Sequence, residues 1–272
     1  MNQRWTITIV AAVVLAAAAF AAIVKHKPSM ETKVSAADTA SVKEMLDEAV
    51  KNEADGDKVK ARDTYARVVA DHPDYDKIED VQDRLGALSI AIITSNAKTP
   101  QTAEHEIVSG DSLGKLARQY NTTTELIKKS NNLKSDVIRV GQKLRIWTAP
   151  FNLLVDKSQN ILILKSSDEV VKVFTVSTGT NNSTPVGQFK ITSKLVDPVW
   201  FKSGAIIPPE SKENVLGSRW MGFDIAGYGI HGTVEPDKIG QQATAGCVRM
   251  LNKEVEELYT IIPVGTIVTI VD

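Results

Sequence analysis

One cysteine, Cys247, and four histidines are all that 272 residues offer in thiol and imidazole. A single thiol excludes an intramolecular disulfide framework. No grouping of His, Cys, Asp and Glu has metal-ligand spacing, so neither a metal nor any other cofactor is expected. Charge of one sign is lacking too: 32 Lys and Arg against 33 Asp and Glu leave a formal net charge of −1. The basic residues are scattered, with no stripe beside aromatics, so nothing points to nucleic acid as a partner.

What is present begins with an uncharged run. Residues 6–24 are dominated by Ala, Val, Ile and Leu. A secretory core needs roughly 7–15 apolar residues and a spanning helix about 20, so this run sits at the boundary. Ala19-Phe20-Ala21 fits a small-x-small cleavage pattern, and Lys25 and Lys27 stand where an anchor usually has no positive charge. The length of the run and its lack of a polar cleavage region weigh slightly toward an anchor. A buried helix of a soluble fold fits poorly, because no face is polar. Residues 1–24, signal peptide or membrane anchor, therefore mark an exported protein of the periplasm or cell wall. An odd thiol in that setting is either a small buried hydrophobe or a reactive group.

Residues 25–41 are polar, contain Pro28 and read as a linker. Helical spacing then takes over, in Val42, Met45, Leu46 and Ala49, in Ala61, Thr64, Tyr65 and Val68, and in Ile78, Val81, Leu85, Leu88 and Ile92. Gly56-Asp57 and His72-Pro73 punctuate the pattern, which defines a small all-α segment over 42–95. A second linker covers 95–103. Beyond 150 the period becomes strand-like, at 153–155, 161–164, 170–176, 188–193 and 266–271. One clear helix, 253–262, has Asn252 as its expected cap and is ended by Pro263 and Gly265. Residues 197–218 show no periodicity and are long for a connection, which suits a lid or binding loop with Trp200 as an apolar wall.

The last domain brings a thiol and an imidazole close in sequence. His231 lies in Gly229-Ile230-His231-Gly232-Thr233, and Cys247 in Thr244-Ala245-Gly246-Cys247-Val248-Arg249. A lone histidine is more often a satisfied core residue than a catalyst. Here, however, a thiol needs a base or a cation to react near neutral pH, and His231 and Arg249 are candidates for both. On a strand, Cys247 and Arg249 share a face. The N–H groups of Gly246 and Cys247 are candidates to hold an oxyanion. His26, His72 and His105 carry no such context.

Two resemblances follow from these residues. Residues 104–147 resemble a LysM module, through Val108-Ser109-Gly110-Asp111-Ser112-Leu113, Asn131-Asn132-Leu133 and Val140-Gly141-Gln142-Lys143-Leu144-Arg145-Ile146. The resemblance implies a βααβ fold that binds N-acetylglucosamine-containing glycan between two loops. Gly110, Asp111, Ser112 and Leu113 match the first, and Asp136, Val137 and Ile138 the second. Locally, Asp111 is the expected cap of the first helix, and Thr122 with Glu125 the capping box of the next. The spacing of Gly56, Ala61, Tyr65 and Pro73 resembles one tetratricopeptide repeat. A lone repeat cannot bury its own face, so a neighbour, a second copy or a protein partner is expected to cover it.

Residues 151–272 resemble the YkuD-type L,D-transpeptidase catalytic domain. Thr178-Gly179 and Thr184-Pro185-Val186-Gly187-Gln188-Phe189 match its T-P-x-G-x-F turn. Asn214-Val215-Leu216-Gly217-Ser218-Arg219-Trp220 matches N-x-L-G-x-R-W, and the His-Gly-Thr and S/T-x-G-C-x-R motifs follow. The resemblance implies Cys247 as nucleophile, His231 as base, the Gly232 carbonyl as its orienter, and Arg249 as a holder of the site or of a substrate carboxylate. Thr244 keeps a hydroxyl where Ser is frequent, and Ala245 lacks the His or Lys of many relatives. The implied reaction attacks the L-centre of a peptidoglycan tetrapeptide stem, releases D-Ala and makes a 3→3 cross-link, with carbapenems as acylating agents. A carboxypeptidase using water and a non-catalytic wall-binding scaffold are the competing readings. The fold expected is multidomain: signal or anchor helix, all-α segment, βααβ module and mainly-β catalytic domain.

Overall fold

The structure, a computed structural model, describes residues 36–272 except Ser203, without the side chains of residues 36–39 and Lys202. The signal or anchor expected over 1–24 lies outside the described residues. Among the described residues no helix is long and apolar enough to cross a membrane. The chain forms two compact units that divide between Ser89 and Ile90.

In the first unit, helices α1 (Ala36–Ala54), α2 (Lys58–Asp71) and α3 (Ile78–Ile93) follow one another. α1 begins inside the stretch read as a linker. Asp57 caps α2, its carboxylate accepting the Lys60 N–H at 3.1 Å. The repeat does not wait for a neighbour to cover it: Val42, Ala49, Ala61, Tyr65 and Val68 bury with Ile78, Val81 and Leu88, which α3 supplies. One carboxylate ties the three helices. Glu53 accepts from the Tyr65 hydroxyl at 2.9 Å and from Arg84 at 2.8 and 3.2 Å, and Arg84 holds its pKa low.

The second unit opens with β1 (Thr102–Glu106), α4 (Leu113–Gln119), α5 (Thr124–Ser130) and β2 (Lys143–Trp147), the two strands antiparallel. They close on Ile107, Leu113, Leu116, Ala117, Ile127, Leu144 and Ile146. The caps fall one residue later than expected: Ser112 accepts from Lys115 N–H and Thr123 from Leu126 N–H. Asp111 is occupied elsewhere, its Oδ2 holding His105 Nε2 at 3.0 Å and the Val108 N–H at 2.9 Å. The segment 95–103 is no free linker either. Buried Arg145 donates to the carbonyls of Ile92, Ile93 and Ala97, and so pins its start.

Next come β3 (Phe151–Asp156), β4 (Ile161–Ser166), β5 (Glu169–Thr175), β6 (Thr178–Gly179), β7 (Gly187–Val196), β8 (Trp200–Lys202), β9 (Ala205–Ile207), β10 (Arg219–Phe223), β11 (Gly229–His231), β12 (Gln242–Thr244), β13 (Val248–Arg249), helix α6 (Asn252–Ile261) and β14 (Ile267–Val271). Among the described residues an eight-stranded mixed sheet has the order β13-β11-β10-β7-β14-β3-β4-β5. Every residue of β4 is buried, as a strand covered on both faces requires. α6 buries Val255, Leu258 and Ile261 in the same cluster as Leu153, Leu162, Met221, Ile230 and Val248.

The βααβ module is packed onto this domain. Leu126 of α5 belongs to the catalytic domain's core cluster, the Thr123 hydroxyl donates to the Thr260 carbonyl, and Trp147 stacks on Phe151 at 5.9 Å.

Candidate active site

β11 and β13 run parallel, with Ile230 opposite Val248 and His231 opposite Arg249. Cys247 immediately precedes β13, two residues before Arg249, and its thiol meets the chain at the start of β11. Gly229 lets β11 lie close against β10. A side chain there would put its first carbon 2.5 Å from the Met221 carbonyl and 2.9 Å from the Trp220 indole. The thiol donates to the Gly227 carbonyl at 3.5 Å and receives the Gly229 N–H.

His231 is 3% exposed and stacks on Trp220, ring centroids 6.1 Å apart and planes at 22°. Its Nδ1 lies 2.7 Å from the Gly232 carbonyl. A carbonyl only accepts, so in the neutral ring Nδ1 carries the proton and the lone pair lies on Nε2. Burial takes the imidazole pKa down to about 4, and the nearby Arg249 charge acts in the same direction against the Gly232 and Leu216 carbonyls. Burial also pushes the Cys247 thiol up, which the Gly229 N–H and Arg249 oppose. Both shifts favour the uncharged forms of the two side chains.

Arg249 is buried and pairs through Nη1 with Glu235 at 3.2 Å; Glu235 also holds Lys238 at 2.6 Å. The buried guanidinium Nε has no hydrogen-bond partner among the described residues. Among the described residues no group of three His, Cys, Asp or Glu side chains comes together to hold a metal ion.

The turn that delivers Cys247 is built by Thr244. Its hydroxyl donates to the Cys247 carbonyl at 2.7 Å and accepts the Gly246 N–H at 3.1 Å. The Gly246 N–H, expected to face an oxyanion, is thus already committed to its own turn, and the Cys247 N–H is the donor left for that role. Gly246 has φ +138°, and a side chain on it would enter the Tyr228 ring at 2.7 Å. Thr244→Val removes both hydroxyl bonds and leaves the buried Gly246 N–H unmet, a cost of about 1–3 kcal/mol. We expect turnover to fall at least tenfold in Thr244→Val and to survive in Thr244→Ser, measured as kcat under saturating substrate.

Residues 197–218 contain the β8–β9 hairpin, in which Trp200 pairs with Ile207 and Phe201 with Ile206. Phe201 and Ile206 are largely exposed, and Trp200 is half-buried. Asn214 knots the loop, its amide donating to the Pro198, Ile207 and Pro208 carbonyls and accepting from Leu216 N–H.

In the βααβ module the candidate glycan residues divide by environment. Leu113 is core and Ile138 packs against it, Ser112 caps α4, and Asp111 braces the loop whose Gly110 has φ +90°. Asp136 pairs with Lys128 at 2.6 Å, and Val137 is 73% exposed. Sequence reasoning missed Trp220, Tyr228, Glu235 and the role of Asn252. Only Trp220 stood inside a motif; the others are recognised by what they touch.

A buried imidazole on β11 with its Nδ1 tied to a backbone carbonyl, and a half-buried thiol just before the strand paired with β11, make a candidate thiol–imidazole site on a mainly-β domain. Residues 150–270 match the model of the L,D-transpeptidase catalytic domain, and 105–147 that of the LysM domain. YqjB of Bacillus subtilis, named for an inferred L,D-transpeptidase activity, is 41% identical over 126 residues, 44% of this chain and 70% of that protein. YkuD of the same organism, similarly named, is 29% identical over 173 residues, 61% and 97% of the two chains. The chain belongs to the YkuD family of L,D-transpeptidases. An L,D-transpeptidase structure from Mycobacterium tuberculosis aligns at TM-score 0.40 and 17% identity, over 49% of this chain and 63% of that one.

Proposed function

We propose that the protein is an exported cysteine-dependent L,D-transpeptidase that cross-links peptidoglycan, with its LysM module holding glycan. The observation that carries this is the pairing of β11 with β13, which sets His231 opposite Arg249, two residues after Cys247, with Nδ1 of His231 hydrogen-bonded to the Gly232 carbonyl. The resting thiol is hydrogen-bonded to the Gly227 carbonyl; in the reaction its proton passes to Nε2 of His231. As the proton leaves, sulfur bonds to the carbonyl carbon of the L-centre of a tetrapeptide stem. The Cys247 N–H meets the oxyanion, a contact typically worth about 3 kcal/mol. Collapse breaks the C–N bond to D-Ala, whose amine takes the proton from the imidazolium. An amine of another stem then attacks the thioester, gives its proton to His231, and the thiol departs reprotonated. Arg249 supplies positive charge beside both groups.

The test is mass spectrometry of products from a soluble disaccharide-tetrapeptide. The expected products are free D-Ala and a 3→3 dimer, and a pentapeptide donor gives neither. Tripeptide alone, even at high acceptor concentration, would replace the transferase with an L,D-carboxypeptidase.

A further inference from the structure

Asn252 is the first residue of α6, yet it does not cap the helix: the cap position is Leu251, which makes no side-chain hydrogen bond. The Asn252 amide is turned instead toward the chain on either side of the site. Its Oδ1 accepts the Thr233 N–H at 2.9 Å and the Ser218 N–H at 3.2 Å, and its Nδ2 donates to the Thr233 carbonyl at 2.8 Å.

Two glycines make way for it. A side chain on Gly232 would put its first carbon 2.1 Å from the Asn252 oxygen, and one on Gly217 would put it 2.3 Å away. Gly217 also has φ +64°, which disfavours any other residue. The peptides so held border His231 directly. The Gly232 carbonyl receives the Nδ1 proton, and the Gly232 N–H donates to the Arg219 carbonyl at 3.2 Å.

We propose that Asn252 is a positioning residue of the acyl-transfer site. By fixing the Gly232–Thr233 peptide against Gly217–Ser218, it aims the Gly232 carbonyl at Nδ1 and so keeps Nε2 as the nitrogen that accepts the thiol proton. This rests on His231 acting as the base to Cys247. Without the brace, the carbonyl tilts, and the ring samples the tautomer or orientation in which it cannot take the proton. The side chain contacts no reacting atom, so its loss acts on kcat and leaves KM alone.

The experiment measures kcat and KM for D-Ala release from the disaccharide-tetrapeptide across about pH 4 to 9, with circular dichroism on the same purified full-length samples. Asn252→Ala is expected to lose roughly 10²-fold in kcat, the size of a small misplacement of a catalytic group, with KM unchanged. Asn252→Asp keeps the shared acceptor, loses the donor and places a carboxylate near the imidazole. That charge favours the protonated ring, so the acid limb of the rate profile should move up by roughly one pH unit. Wild-type kcat and wild-type acid limb in both variants would overturn the proposal. So would an Asn252→Ala that fails to fold beside an Asn252→Asp indistinguishable from wild type, since the amide would then serve the fold alone. Full activity in Cys247→Ser would instead remove the reading of the site on which the proposal rests.

Discussion

Cys247→Ser will fold and melt like the parent and lose turnover by about 10⁴-fold, the order seen when the nucleophile is removed from a concerted catalytic set. The substitution changes one atom in a half-buried position, so packing against Gly227 and Gly229 is kept. What changes is acidity. Even the native thiol is pushed up by burial, and a hydroxyl in that place stands several pH units further from ionisation. The imidazole cannot make up the difference, because its own pKa is lowered to about 4 and it is a weak base. The pH dependence follows with a definite sign. His231 remains neutral, and able to accept a proton, down to about pH 4, so the acid limb of wild-type activity should lie well below the ordinary histidine value of about 6.5. Turnover of tetrapeptide by the serine variant at the wild-type rate would return the protein to the wall-binding scaffold reading.

The second large effect concerns stability. Leu126→Ala, a change in the LysM module, will destabilise the catalytic domain by about 2–5 kcal/mol, as for other leucines cut from a core. Leu126 is 1% exposed and clusters with Leu258, Ile261 and Ile262 of the neighbouring domain. Deleting residues 104–147 should go further and leave a catalytic domain that does not fold stably, rather than one merely weakened on intact sacculi. Urea unfolding followed by tryptophan fluorescence checks this. An unchanged midpoint in Leu126→Ala would mean that the two domains only touch.

The family was legible because its motifs are short, ordered and rich in residues with few structural substitutes. The mainly-β domain was legible too, since 153–155, 161–164 and 170–176 fall within β3 and β4 and across β5, where hydrophobic runs and polar turns alternate. Helix caps were not. Periodicity places a helix to within a turn, but whether Asp111 or Ser112 caps α4 depended on His105, a strand residue that claims Asp111. The same holds for the site. Nothing local marks the Gly246 N–H as already bonded to Thr244, and the partners of Asn252 lie 19 and 34 residues away in sequence. The loop 197–218 has no period to read because its hairpin strands are three residues each, and a buried asparagine, not an apolar stripe, holds the rest together.

The resting arrangement of Cys247 has a bearing on endurance. Peroxides and disulfides react with thiolates, and a cysteine kept protonated is a poor target for them. Here burial favours the thiol over the thiolate, and the sulfur is held on the Gly227 carbonyl. On the proposed mechanism the reactive anion forms only when a carbonyl arrives to consume it. A sulfur kept protonated is thereby spared oxidation to a sulfinic acid, a change that ordinary thiol exchange does not reverse.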